Sequence, residues 1–167
     1  MPEVRLIRPE DAESLYELLT EEIWAENAVF PVAPAKVRSV INVAAGITPW
    51  APGLPMSVIG VIGNVGKVEA SIGLVVTQFW YTEEWHLEDC WTCVSKRARG
   101  SNHATALLKF GKIIQRQMNI PLMMGVLSDI RTEAKVRYFR RELGDPVGAV
   151  FVWPALRELK AQVRSVE

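Results

Sequence analysis

The chain lacks an excess of either charge. Among its 167 residues, nineteen Lys and Arg balance nineteen Asp and Glu, so the formal net charge at pH 7 is +0. Proteins that bind nucleic acid or anionic membranes usually carry a broad positive field. Overall neutrality therefore disfavours both partners, and any basic binding site in this chain must be local.

Long apolar runs and histidine are also scarce. No stretch approaches the roughly 18 consecutive apolar residues of a membrane span, and the charged beginning with Glu3, Arg5 and Arg8 differs from a secretory signal. We therefore expect no membrane partner and a cytoplasmic location. With only two histidines, and no carboxylate at helical spacing from either, we expect no metal site.

Cysteine occurs only twice, at Cys90 and Cys93, which form a C-x-x-C pair. Redox pairs and metal sites use this spacing. Here it falls within a strand-like run, Leu87 to Val94, in which residues three apart point to opposite faces, and no second pair of ligands follows. We predict two buried, reduced core cysteines, as suits a reducing compartment.

Apolar residues make up 49% of the chain, which is enough for one buried core at this length, so we expect a single domain over residues 1–167. Periodicity and turn residues predict a mixed α+β fold with an antiparallel start and a later βαβ unit. The predicted elements are strand 4–8, helices 9–22 and 36–45, strands 57–63, 68–79 and 87–94, helix 102–118, strand 122–127, helix 132–143, strand 147–152 and helix 154–163.

One segment joins the strand ending at Val94 to a strongly amphipathic helix. The residues Arg99-Gly100-Ser101-Asn102-His103-Ala104 include small, flexible ones, and Lys96 and Arg97 precede them. A helix begins with backbone N–H groups that have no intrahelical partner and that carry the positive end of the helix dipole. This junction therefore predicts docking of an anionic ligand such as a phosphate.

The same junction resembles the pyrophosphate loop of the GNAT superfamily of acyl-CoA N-acyltransferases. That loop has the pattern Arg/Gln-x-x-Gly-x-Gly/Ala after a strand that ends in Val. Here Arg99 opens the pattern, Asn102 replaces the first glycine and Ala104 fills the last position. Because Asn tolerates positive φ better than other residues with side chains, we expect the loop to form.

A second, weaker similarity lies downstream. The family often has Asn-x-x-Ala-x-x-Leu-Tyr-x-x-x-Gly after the next strand. This chain has Arg131, Ala134, Arg137 and Tyr138 at the first four named positions, and Gly144 comes two residues later than the pattern requires. The spacing between alanine and tyrosine is thus kept.

The resemblance extends from Val4 to about Val152. It implies a GNAT-like fold, with a central, mostly antiparallel mixed sheet of about six to seven strands flanked by helices. It also implies transfer of an acetyl group from acetyl-CoA, without a metal, to the primary amine of a small-molecule or peptide acceptor. The sequence carries no motif for a particular acceptor.

The resemblance also assigns cofactor contacts. In the family, the strand before the loop splays from its neighbour, commonly with a bulge, so that backbone groups meet the pantetheine arm. Backbone N–H groups of the loop would hold the pyrophosphate, with Lys96 or Arg97 at the remaining phosphate, and the side chain of His103 would have a structural or contact role. The predicted cofactor-binding residues are Thr92, Cys93, Val94, Arg99, Gly100, Ser101, Asn102, His103 and Ala104.

Acyl transfer also needs a proton for the departing thiolate. Tyr138 is the predicted acid, because the family's spacing places a tyrosine there and because it projects away from the apolar stripe of its helix at Val136, Phe139 and Leu143. The alternative is a half-exposed tyrosine that packs against a neighbouring element.

A base would take the proton of the amine. Glu88 is the predicted base, since simple alternation places it on one strand face with Cys90, Thr92 and Val94, and Glu84 is the second candidate. The alternatives are a merely solvated carboxylate and proton loss to ordered water.

Two other interpretations stay open. A catalytically degenerate GNAT-fold module, used for CoA binding or protein interaction, is favoured by Asn102 and Arg131; a nucleic-acid-modifying protein would need a basic face. The aromatic run Phe79-Trp80-Tyr81 with Trp85, and the loop with Trp24, Phe30 and Trp50, form one set of rings, and packing in the core is the leading interpretation for most of them. The alternatives are that they border the acceptor cleft or a homodimer contact. We expect His86 at the surface.

Overall fold

The computed structural model describes residues 2–25, 30–52, 56–126 and 131–150. The strands in these ranges are β1 (Arg5–Leu6), β2 (Met56–Asn64), β3 (Lys67–Gln78), β4 (Trp85–Val94) and β5 (Leu122–Met123). The helices are α1 (Ala12–Glu17), α2 (Pro34–Ala44), α3 (His103–Met118) and α4 (Thr132–Leu143). A 3₁₀ turn (Pro9–Asp11) leads into α1, which continues as a π-helical segment (Leu18–Trp24), and a second 3₁₀ turn (Lys96–Ala98) precedes α3.

The five strands form one sheet in the order β1-β2-β3-β4-β5. The first four are antiparallel neighbours, and β5 pairs with β4 in parallel. The predicted mixed fold is confirmed, but the described residues form five strands rather than six or seven. Residues 147–150 are not in a strand, and residues 151 and 152 and the predicted helix 154–163 lie outside the described residues.

Most predicted boundaries are confirmed. The hairpin of β2 and β3 and the helix Thr132–Leu143 appear where turn residues and periodicity place them. The first helix runs two residues further than predicted, to Trp24, and α2 begins two residues earlier, at Pro34. β5 is much shorter than its apolar run predicts, because only Leu122 and Met123 pair with β4; Leu127 lies outside the described residues.

Alternation along β2, β3 and β4 gives the sheet two apolar faces. One face packs under α1 and α2. The fully buried residues of this layer, from the helices and the sheet together, include Leu15, Leu19, Ile41, Ile59 and Val61. The other packs under α3, with Ile72, Leu74, Leu87, Ala106 and Leu107 at its centre. The sheet is therefore the middle layer of a three-layer fold.

A close approach between backbone and ring fixes the centre of the α1 face. The Trp91 ring lies directly over Gly73, where an added Cβ would come within 2.5 Å of the ring. Trp24, at the end of the π-helical segment, meets Trp91 edge-on with ring centroids 6.2 Å apart. Gly73 is thus required by packing, since its neighbour on the next strand fills the space of a side chain.

A buried carboxylate anchors the start of α1 to the sheet. Asp11 is fully buried and accepts hydrogen bonds from the Arg5 guanidinium at 2.6 and 2.8 Å and from the Gly66 and Arg8 N–H groups at 2.9 Å. Burial by itself disfavours the charged form. The hydrogen bonds outweigh burial and lower the pKa of Asp11 to about 2.

The two cysteines are unpaired, but only Cys93 is a core residue. Burial raises the pKa of the Cys93 thiol to about 12. Cys90 is exposed, so the prediction of two buried cysteines is wrong for this residue. The reason is a register shift in β4: Gly73 pairs with Trp91, the next residue Leu74 pairs with Asp89, and Cys90 is the unpaired bulge residue between them.

Candidate active site

β4 and β5 part shortly after they meet. Pairing is restricted to Leu87 with Leu122 and Glu88 with Met123, although β4 continues to Val94. At the next position, a side chain takes the place of backbone pairing: Asp89 Oδ1 accepts a hydrogen bond from the Gly125 N–H at 2.6 Å. Within the described part of the chain, the edge of β4 beyond Glu88 therefore has no strand partner on the β5 side.

The bulge at Cys90 changes which face the base candidate occupies. Thr92 and Val94 pair with Ile72 and Ala70, whose side chains belong to the α3 face. Because one extra residue separates them from Glu88, Glu88 does not share their face, and the prediction from simple alternation is wrong. Glu88 is exposed on the α1 side, where its Oε2 lies 3.9 Å from His86 Nε2.

Asp89 is a candidate that sequence patterns did not identify. Burial raises its pKa to about 6, helped by the charge of Glu88 and opposed by the hydrogen bond from Gly125. A carboxylate at a strand bulge has no sequence signature of its own. Only the position of Gly125 shows that Asp89 fixes the parting of the strands.

The loop after β4 leads directly into the N-terminus of α3. Gly100 has φ +87, and an added Cβ there would meet nothing within 4 Å. Asn102 has φ −83, so the replacement of the family's glycine causes no backbone strain, and its side chain makes no capping hydrogen bond. The first-turn N–H groups of α3 are therefore not satisfied by the cap residue.

Two of the predicted loop amides already have partners. Ser101 N–H donates to the Ala98 carbonyl at 3.2 Å, and His103 N–H donates to Ser101 Oγ at 3.3 Å. These bonds shape the turn rather than face a ligand. Gly100, Asn102 and Ala104 are the remaining predicted amide donors.

A carboxylate of β3 lies beside the loop. Glu69 Oε1 is 3.7 Å from Arg97 Nη2, and its Oε2 is 3.6 Å from His103 Nε2. The π-helical segment also contributes, because Glu22 Oε2 accepts the Lys96 N–H at 2.9 Å. The loop is thus held by acidic residues from two elements.

Tyr138 faces α3. Its hydroxyl is 3.4 Å from Thr105 Oγ1, in the first turn of α3, and its ring is half-buried. Val136 and Leu143, on the stripe predicted to pack, are exposed among the described residues. The structure therefore places Tyr138, the predicted acid, beside the N-terminus of α3. It shows no contact between Tyr138 and Glu88.

Buried polar atoms without a hydrogen-bond partner among the described residues concentrate along this path. They are His86 Nε2, Thr92 Oγ1, Ser95 Oγ and His103 Nδ1. All four belong to β4, the residue after it, or the first residue of α3. Buried polar groups are normally satisfied, so Thr92, Ser95 and His103 fit a polar ligand near the end of β4, whereas His86 lies on the other face of the sheet, with Glu88.

His86 differs from its prediction. It is buried rather than at the surface, and its ring stacks on Phe79 with centroids 4.5 Å apart. Phe79, Trp80, Tyr81 and Trp85 are all exposed, so the leading interpretation of these rings as core residues is wrong.

Within the described residues, no helix is long and apolar enough to cross a bilayer. The same residues hold no group of three or more His, Cys, Asp or Glu suited to a metal ion.

No protein-family model and no curated protein matches this chain. Solved structures do match in fold. An acetyltransferase from Trypanosoma brucei is 14% identical and aligns with a TM-score of 0.63 over 93% of this chain and 100% of its own. A ribosomal-protein-alanine N-acetyltransferase from Brucella melitensis biovar Abortus 2308 is 10% identical, with a TM-score of 0.63 over 93% and 100%.

An aminoglycoside acetyltransferase from an uncultured soil metagenomic sample is 12% identical, with a TM-score of 0.62 over 93% of this chain and 99% of its own. At these identities the likeness shows the fold. The chain has the fold of the GNAT acetyltransferases, as its loop pattern predicted.

Proposed function

We propose that this protein is an acyl-CoA-dependent N-acyltransferase, which moves an acetyl group from acetyl-CoA to the primary amine of a small-molecule or peptide acceptor by direct attack. The observation that carries the proposal is the open edge of β4 beyond Glu88, which ends at the N-terminus of α3. A polar, phosphate-bearing ligand fits both parts of this path.

Acetyl-CoA, when bound, supplies an activated thioester. The unpaired backbone edge at Thr92, Cys93 and Val94 offers hydrogen bonds to an extended amide-bearing arm, as a neighbouring strand would. The buried hydroxyls of Thr92 and Ser95 add polar contacts on the way to the loop. The helix N-terminus, together with Lys96, Arg97 and Arg99, suits the phosphates.

The chemistry is assigned to two side chains, Glu88 at the parting of the strands and Tyr138 beside the N-terminus of α3. Glu88 takes the proton of the incoming amine as the C–N bond forms, and Tyr138 Oη gives a proton to sulfur as the C–S bond breaks. Asp89 is a positioning residue, because it holds Gly125 against β4. The acceptor would approach from the α1 side, where Glu88 and His86 lie.

Three of the similar solved structures are aminoglycoside acetyltransferases, and one of them is in complex with sisomicin. Aminoglycosides are small molecules that carry amines. This supports a small-molecule amine as the acceptor of the present chain.

The test is binding of acetyl-CoA followed by turnover. At about 100 times Kd, a ligand adds about 2.7 kcal/mol, so we expect the Tm of the wild type to rise by about 8 °C. Arg99→Glu should abolish the shift, since it reverses a charge at the loop. The matched control is Arg116→Glu, at the far end of α3, which should keep the shift.

Turnover is then followed as release of the CoA thiol with a panel of amines. No thermal shift in the wild type would contradict the proposal. A shift without turnover on any amine would identify instead the catalytically degenerate binding module.

A further inference from the structure

The end of the β3–β4 hairpin carries an exposed aromatic surface. Trp80 is 95% exposed, Tyr81 67% and Trp85 52%. The rings are ordered against one another: Phe79 and Tyr81 stack with centroids 5.5 Å apart, and Trp80 meets Tyr81 edge-on at 5.6 Å. Contiguous exposed apolar surface of this kind marks interaction sites.

The row of rings continues inward to the candidate active site. Phe79 stacks on the buried His86, and His86 Nε2 lies 3.9 Å from Glu88 Oε2. Glu88 is the last residue of β4 that pairs with β5. A contiguous row of side chains therefore leads from Trp80 in solvent to the point where the strands part.

This end of β4 is acidic. No Lys or Arg occurs between Lys67 and Lys96, and the acidic residues at this end are Glu83, Glu84, Glu88 and Asp89, while Glu69 lies at the other end, beside the loop. The hairpin end is fixed by the Gln78 side chain, which donates to the Glu83 carbonyl, and by Glu84 N–H, which donates to Thr82 Oγ1 at 3.1 Å. Aromatic faces flanked by carboxylates attract cations and repel anions.

Charge is also divided along the whole sequence, although its sum is zero. Residues 1–95 contain thirteen acidic and five basic residues, and residues 96–167 contain six acidic and fourteen basic ones. The division falls at the end of β4. The strand thus has a basic loop at one end, suited to phosphates, and an acidic aromatic surface at the other, suited to a cation.

We propose that Phe79, Trp80, Tyr81, His86 and Glu88, with Glu83 and Glu84, form the acceptor-binding surface, and that the acceptor is a linear amine with a second positive charge. This rests on the proposed function. Glu88 meets the reacting amine, the rings cover the alkyl chain, and the hairpin carboxylates bind the distal ammonium. Glu84 immediately precedes β4 and lies four residues before Glu88, which is at most about 13 Å of extended chain, and a diamine or polyamine can bridge this span with help from the side chains.

The test compares two probes, hexamethylenediamine and hexylamine, which share a chain and differ in the second amine. In Glu83→Lys, we expect the ratio of the KM for the diamine to that for hexylamine to rise about tenfold at low salt, because the distal ammonium meets a positive charge. Glu3→Lys, an equal charge reversal beside β1 at the opposite edge of the sheet, is the matched control. Trp80→Ala should raise both KM values about threefold.

An unchanged ratio in Glu83→Lys, or an equal rise in Glu3→Lys, would overturn the proposal. So would a dimer that Trp80→Ala converts to monomer in size-exclusion chromatography without a change in either KM, because the rings would then form a subunit contact. Calorimetry of diamine binding without acetyl-CoA distinguishes failure of this proposal from failure of the proposed function. If Glu83→Lys weakens diamine binding tenfold but the protein transfers acetyl to no amine, the diamine-binding surface is supported and the proposed function is wrong.

Discussion

The two neighbours of β4 differ in what they do with its backbone. On the β3 side, pairing runs from Trp85 to Val94 with one bulge at Cys90, and apolar side chains pack on both faces of the sheet. On the β5 side, pairing among the described residues stops at Glu88, and buried polar atoms without a hydrogen-bond partner in the same residues lie along the strand and at its end. One strand therefore has a closed edge that holds the fold together and an open edge suited to a ligand.

The two edges of β4 therefore separate residues that stabilise the fold from residues that are proposed to bind a ligand. Substitutions on the closed side should unfold the protein, because they disturb close packing. Substitutions of exposed or half-buried side chains on the open side, such as Glu88 and Tyr138, should change binding or turnover and leave the free energy of unfolding nearly unchanged.

Among the changes on the β3 side of β4, we expect Gly73→Val to lower the stability of the fold most. The new side chain would occupy the space of the Trp91 ring, which lies 2.5 Å from an ideal Cβ. We expect a loss of about 3 kcal/mol or more in the free energy of unfolding, measured by urea denaturation. Gly111→Ala is the control, since its Cβ meets Ile72 and Leu122 at 3.4 Å, and an equally large loss there would refute the role of the ring contact.

A second change tests the polar anchor of α1. Asp11→Asn leaves Arg5 without its carboxylate and should cost about 2 kcal/mol at neutral pH. The folded pKa of Asp11 is about 2, below the value near 4 of an unfolded chain. The wild type should therefore lose this stability as the pH falls from about 4 to 2.

In Asp11→Asn, the part of the acid loss that comes from this carboxylate should be missing from the pH profile of the free energy of unfolding. Glu13→Gln removes a carboxylate from the exposed pair with Arg38 and serves as the comparison. A profile for Asp11→Asn that matches the wild type between pH 4 and 2 would show that Asp11 is not the titrating group.

The smallest substitution tests the predicted acid on the open side of β4. Tyr138→Phe removes one oxygen, 3.4 Å from Thr105 Oγ1. We expect kcat to fall at least tenfold, with little change in acetyl-CoA binding or in Tm, because a general acid acts on the departing group alone. Tyr16→Phe makes the same atomic change on α1, and comparable kcat values for both variants would rule out Tyr138 as the acid.

Much of this comparison could be predicted from the sequence. The hairpin of β2 and β3 follows from the residues Asn64-Val65-Gly66 between two apolar runs, and the helix that ends at Gly144 follows from its periodicity. The junction of β4 and α3 was evident because small and basic residues separate a strand pattern from a helix pattern. Such signals are local, so no tertiary contact was needed to find them.

The facing of side chains along β4 could not be predicted in this way. It depends on the bulge at Cys90, next to the place where the Trp91 ring lies over Gly73 of another strand. That single shift separates Glu88 from the face of Thr92 and makes Asp89 the residue that contacts Gly125. Alternation assumes an unbroken ladder, and one inserted residue reverses every assignment beyond it.

Glu69 would be an internal counter-ion in the proposed phosphate site. Its carboxylate lies between Arg97 and His103, so a phosphate that bound there would displace one negative charge as it added others. Binding at this site is then partly an exchange of anions, which releases fewer salt ions than the number of nearby cations would indicate. The salt dependence of acetyl-CoA affinity should accordingly be shallow in the wild type, and it should be steeper in Glu69→Gln.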